Sequence, residues 1–224
     1  YNKHNTLQNK YNVLIDKFTY LHDFTVTKDH IIFFCHPLIF NVTDLVLKRK
    51  GIVFSLKQDH KKTDKIYVIN RKTATINIYN SKVSSFIYHH VSAQEQDDII
   101  TLQSIRYPEY LAITDSKLVE YRIDTNTHTL METPTNNDYC YEFPIASSNS
   151  IHGAPQVYSI FFDRHLTQGI MSITTNQKWS LKHHIFTEPF LDSSEKYVMT
   201  TTCSMLNQQS KLLVFNAMSI NTGP

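Results

Sequence analysis

Ile66-Tyr67-Val68-Ile69-Asn70-Arg71-Lys72-Thr73-Ala74-Thr75-Ile76-Asn77-Ile78-Tyr79 reads as two strands around a polar turn. The flanks are β-branched and aromatic, the residues that fit a pleated, half-buried surface. Asn70 opens the turn, where its side chain can bond the backbone of the residues that follow. The pattern returns about 54 residues later as Glu120-Tyr121-Arg122-Ile123-Asp124-Thr125-Asn126-Thr127-His128-Thr129-Leu130-Met131-Glu132-Thr133, with Asp124 leading the turn. That offset is close to the size of one four-stranded propeller blade.

Short apolar runs bounded by turn residues fill the rest of the chain. They are 31–35, 52–54, 86–91, 99–102, 119–123, 157–162, 197–201 and 212–215, each of strand length. No fifteen-residue window sustains a 3.6 period. Composition agrees: Ile is 22, Thr 23, Val 12, Tyr 13 and Phe 13, against 6 Ala. An all-β fold is expected, in one domain over 1–224, because no linker or low-complexity tract divides the chain.

Several functions are disfavoured on the same grounds. Lys+Arg 22 against Asp+Glu 20 leaves +2, too mild for a nucleic-acid groove. Only four Gly are present, and no Gly-rich phosphate loop. Cys35, Cys140 and Cys203 are odd in number and widely spaced, which fits free thiols in a reducing compartment better than a disulfide framework. The longest apolar stretch, 31–40, is interrupted by His36 and Pro37 and is too short to span a bilayer. The expectation is a cytoplasmic protein, with peripheral membrane contact left open.

Twelve His are many for this length. His4, His30, His60, His128, His165, His183 and His184 sit among polar residues and read as solvated. His22 and His89 each lie in an apolar, strand-like segment, where a core histidine satisfied by one hydrogen bond and a metal ligand are both open readings. Neighbours in a strand face opposite sides, so His89 and His90 should not share one site. Glu142 and Glu188 are each flanked by an aromatic and a proline. Such carboxylates suit orientation of a metal-bound imidazole, which usually donates its other N–H to one; exposed turn residues are the alternative.

The ordered set of motifs resembles that of the carotenoid cleavage oxygenases, a family that includes retinoid isomerases and stilbene-cleaving enzymes. His22-Asp23-Phe24-Thr25-Val26-Thr27 with Pro37-Leu38 is similar to its HDF block and the FxxxPL segment after it. Phe86 to Glu95 resembles FxFHxxNAxE, Glu142-Phe143-Pro144 matches EFP, Glu188-Pro189-Phe190 matches EPxF, and Leu212 to Ala217 resembles LxVLDA. The likeness runs along essentially the whole chain. It implies a seven-bladed β-propeller, of which this chain covers part, with Fe(2+) on the axis held by four histidines. By motif, His22 and His89 would be two of those ligands. Glu142 would orient His89, and Glu188 the fourth ligand; the first and fourth ligands would lie outside 1–224. The implied reaction is oxidative cleavage of a conjugated C=C bond by O2, in an apolar carotenoid, apocarotenoid or related alkene, to two carbonyl products. An isomerohydrolase using the same iron is a further implied variant. Ser92 stands where the family has Asn, Gln94 where it has an aromatic, and Ser194-Glu195-Lys196 where it has an acidic run. These departures support the rival expectation, a propeller scaffold or fragment without a complete iron site.

Overall fold

The computed structural model describes residues 10–15, 18–47, 51–112, 115–135, 139–151, 154–163 and 167–224, with backbone only at 149–151 and 154. Four antiparallel four-stranded sheets follow one another along the chain. The first holds β1 (Thr25–Val26) and β2 (His30–Cys35). The chain then leaves the sheet for β3 (Leu38–Phe40), the short helix α1 (Val42–Val46) and β4 (Leu56–Gln58), and returns as β5 (Lys65–Asn70) and β6 (Ile76–Asn80). The second is a meander of β7 (Phe86–Gln96), β8 (Ile99–Tyr107), β9 (Lys117–Asp124) and β10 (Thr129–Pro134). The third repeats it with β11 (Cys140–Ile151), β12 (Ala154–Phe162), β13 (Gln168–Ser172) and β14 (Gln177–Leu181). In the fourth, β15 (His184–Phe186) and β16 (Phe190–Leu191) share one edge of β17 (Tyr197–Ser204), and β18 (Ser210–Asn216) takes the other.

These sheets are propeller blades. The first strands of the first three lie side by side, β1 against β7 and β7 against β11, and β11 meets β16 of the fourth. Blade faces pack on one another through apolar layers. Ile32, Phe34, Ile66 and Val68 meet Ile100, Leu102, Val119 and Tyr121 between the first two blades. Phe86, Ile105 and Tyr107 meet Tyr141, Val157 and Phe161 between the second and third. Tyr158, Ile160 and Ile170 meet Val198, Leu213 and Phe215 between the third and fourth. Burying each such side chain contributes about 1.5–3 kcal/mol. Strands β2, β5 and β12 are thus covered on both faces, which is why these runs read as continuous, whereas β9 alternates buried with exposed residues.

The repeated hairpins take the form the sequence predicts. Asn70 Oδ1 accepts the N–H groups of Lys72 and Thr73, and Asp124 Oδ1 those of Asn126 and Thr127. Ala74 and His128 hold equivalent left-handed positions, φ 59° and 55°. One expected strand is absent: 52–54 enters a 3-10 turn, Val53–Ser55. The N–H and the hydroxyl of Ser55 both bond the Gly51 carbonyl, and with no ladder partner for 52–54 among the described residues this local closure wins. Ile52 and Phe54 are left exposed. No helix among the described residues is long and apolar enough to cross a membrane.

Candidate metal centre

His22 lies three residues before β1, outside any regular element, and His89 lies within β7. Their rings face each other nearly at right angles, with centroids 5.4 Å apart. His89 comes from a bulge. Ile87 pairs with Arg106 and His90 with Ser104, leaving Tyr88 and His89 together opposite Ile105. The edge of Tyr88 packs on His22 at 5.4 Å, and Phe143 lies 5.6 Å from His89.

Glu142, on β11 and 8% exposed, bonds Nδ1 of His89 through Oε1. Its Oε2 accepts the hydroxyl of Tyr107, itself buried at the end of β8. Burial by itself lowers the His89 pKa. The hydrogen bond to Glu142 and the charges of Glu142, Asp23 and Glu188 outweigh it and hold the imidazole above its ordinary value. With Nδ1 engaged, Nε2 is the nitrogen left to a ligand. Neither Nε2 of His89 nor the His22 ring has a hydrogen-bond partner among the described residues.

His90 points elsewhere. Its Nδ1 meets the hydroxyl of Ser104 at 2.8 Å, and its ring rests on Phe34. Burial, with His36 and His89 nearby and against the pull of Asp23, pushes its pKa down to about 4, so it stays neutral. Glu188 is exposed on the β15–β16 connection and has no histidine partner among the described residues, although its charge reaches His89.

His30, read as solvated, is buried: its Nδ1 lies 2.9 Å from Glu95 Oε1. Its polar sequence neighbours concealed a partner sixty-five residues away. His60, His128 and His183 are exposed and His184 is half-buried, while His4 and His165 lie outside the described residues. His36 is buried too, with Nδ1 3.2 Å from Asp64 and Nε2 accepting the N–H of Ile87. Tyr107 and Asp23 also went unread, since nothing local marks a tyrosine or an aspartate as a neighbour of the imidazoles. None of the three cysteines is in a disulfide, Cys35 being buried and the others half-buried.

The successive blades place the chain among the β-propellers. The chain belongs to the family described as retinal pigment epithelial membrane protein, whose model matches residues 1–224. Cobalt-substituted apocarotenoid oxygenase of Synechocystis superposes with a TM-score of 0.74 at 20% identity, over 92% of this chain and 49% of that one. A chimera of that oxygenase with RPE65 gives 0.73 at 20%, and a point variant of the Synechocystis enzyme 0.74 at 19%, both over 92% and 49%. At such identities the likeness speaks for the fold. The chain spans about half the length of these structures. A comparison with curated protein sequences finds no match. The family and the propeller expected from the motifs are both met.

The family is generally iron-dependent. Imidazole nitrogen suits Fe(II), and the His22 ring and Nε2 of His89, unengaged among the described residues, are donors of the kind that ion takes. No group of three or more His, Cys, Asp or Glu able to hold a metal occurs among the described residues.

Proposed function

We propose that this chain carries half of the centre of a non-haem Fe(II) dioxygenase, one that cleaves a conjugated C=C bond of a carotenoid, apocarotenoid or related alkene into two carbonyl products. The observation that carries this reading is the 5.4 Å, edge-to-face pair of His22 and His89 with Glu142 behind His89. Bound there, iron would activate O2 for the scission. His22 and His89 would hold it, and Glu142 would keep the proton of His89 on Nδ1, itself held by the Tyr107 hydroxyl. Glu188 is assigned to a further ligand histidine. Tyr88 and Phe143 border the imidazoles with apolar surface, which favours a polyene and excludes water.

Uptake of such a substrate from lipid is part of the same proposal. Val42, Val46, Ile52 and Phe54 on the excursion between β3 and β4 are all more than half exposed, a surface suited to resting on a bilayer.

Anaerobic Fe(II) titration of the protein as expressed from its gene, followed by O2 and an apocarotenoid, tests the reading. Wild type should bind about one iron per active site and lose polyene absorbance only with O2; His22→Ala and His89→Ala should do neither. Unchanged iron binding in both variants would overturn it. A wild-type protein that takes up no iron would leave the inactive scaffold as the reading.

A further inference from the structure

The segment that carries His22 has no sheet partner of its own. The first ladder pair after it is Thr25 with Ile32, and residues 20–24 before β1 belong to no regular element. A histidine on such a segment would pivot unless something else held it.

Two carboxylates hold it to β7. Asp23 accepts the N–H of Phe24 on Oδ1 at 2.8 Å and the N–H of His90 on Oδ2 at 2.9 Å. The residue after His22 is therefore bonded to the residue after His89. The bulge in β7 turns the His90 N–H to this use. At the other end, Glu95 of β7 accepts the Thr27 hydroxyl at 2.6 Å and the Asp29 N–H at 3.0 Å, and its other oxygen meets His30 Nδ1. Residues 23–30 are stitched to β7 at both ends. Only the Asp23 stitch adjoins His22 and His89.

We propose that Asp23 is a positioning residue: its carboxylate fixes the spacing of His22 and His89, so that the pair is set before any metal arrives. This rests on the metal reading above for its purpose, but not for its geometry. A charge-assisted hydrogen bond to backbone is among the stronger kinds. Losing an outer partner of a ligand usually costs 10- to 100-fold in metal affinity, and that is about the size expected here. Asp23→Asn keeps one oxygen for one of the two N–H groups and should fall between.

Two measurements separate the claims. In metal-free protein with labelled histidines, rings this close should show an NOE between His22 and His89, lost in Asp23→Ala and weakened in Asp23→Asn. Co(II), used as the probe metal and followed by its visible bands, should bind Asp23→Ala about 10- to 100-fold more weakly than wild type. Circular dichroism melts check folding, and if the Ala variant does not fold the comparison is made on Asp23→Asn. An undiminished NOE in the variants refutes the positioning role whatever the metal does. Co(II) binding unchanged in His22→Ala and His89→Ala refutes the metal reading, and the NOE still decides the role of Asp23.

Discussion

Glu142→Gln is the sharpest test of how the second blade and the third cooperate. Glu142 faces two donors, the Tyr107 hydroxyl and Nδ1–H of His89. Glutamine offers one oxygen and one NH2 group. It can still be accommodated: its oxygen takes the His89 proton, and its NH2 donates to the Tyr107 oxygen. Tyr107 then turns its own proton to the Tyr141 carbonyl, 3.3 Å away. The variant should fold, losing about 1 kcal/mol, the difference between a hydrogen bond to a charged group and one to a neutral group. What it cannot keep is the charge behind the imidazole. Metal affinity should fall about 10- to 100-fold, or ~1.4–2.7 kcal/mol.

The same charge predicts a pH effect in the metal-free protein. His89 is held above its unfolded value, so its pairing with Glu142 stabilises the fold fully below about pH 6.5 and ceases to do so as pH rises through the folded pKa. Wild type should therefore lose some thermal stability across that window, and Glu142→Gln should lose less. Melting curves between about pH 5.5 and 8.5, with Fe(II) titrations beside them, make the assay. Equal pH slopes together with equal iron affinity would return Glu142 to the role of an ordinary buried acid.

Other perturbations test the frame. A Cβ on Gly169 would lie 2.1 Å from the Trp179 carbonyl oxygen and 2.8 Å from Ser180 Cα, both backbone atoms of the paired strand. Gly169→Ala should thus lower stability by about 1–3 kcal/mol or more, and an unchanged Tm would contradict the β13–β14 register. Burial raises the Glu95 pKa, but the Thr27 hydroxyl, the Asp29 N–H and His30 hold it below the ordinary value. Its stabilisation is present above pH ~4.5 and fades as pH falls through the folded pKa, so Glu95→Gln should flatten that part of the acid melting profile. Phe143 sits at φ 54°, where a side chain costs about 1–2 kcal/mol. Phe143→Gly should therefore melt above Phe143→Ala, the reverse of an ordinary strand position, and Ala melting higher would refute the strained backbone.

The strands were legible where both blade faces are covered, because burial on two sides demands the continuous apolar runs seen in β2, β5 and β12, and where one face is more open, as in β8 and β9, alternation showed them instead. The hairpin turns were legible because Asn70 and Asp124 do their work within three residues. β13 and β14 were not, being short and mixed with polar residues, and held by pairing to β12 rather than by their own pattern. The excursion at 52–54 misled for the opposite reason: it has strand residues but no ladder partner among the described residues. Around the imidazoles, motif order pointed to His22, His89 and Glu142, whereas Asp23, Tyr107 and the buried pair His30–Glu95 depend on contacts across blades, and His36–Asp64 on two strand ends of the first blade that lie far apart in sequence. Such contacts leave no periodic trace.

The bulges explain why a simple period could not have aimed the site. In a regular strand, the residue that faces the axis is fixed by alternation alone. In β7, Tyr88 and His89 together oppose Ile105; in β11, Phe143 and Pro144 together oppose Ser159. Two neighbouring blades thus carry the same two-for-one irregularity, next to His89 in one and to Glu142 in the other. A bulge bends its strand and redirects the side chains around it. Without it, His89 would keep the alternation that serves Ile87 and Val91, both buried between blades. Phe143 holds a left-handed backbone at that point, a conformation its own side chain disfavours, and the packing of β11 on β12 supplies the compensation. The propeller repeat builds the walls, and departures from the repeat at matched positions turn one histidine and one glutamate toward each other.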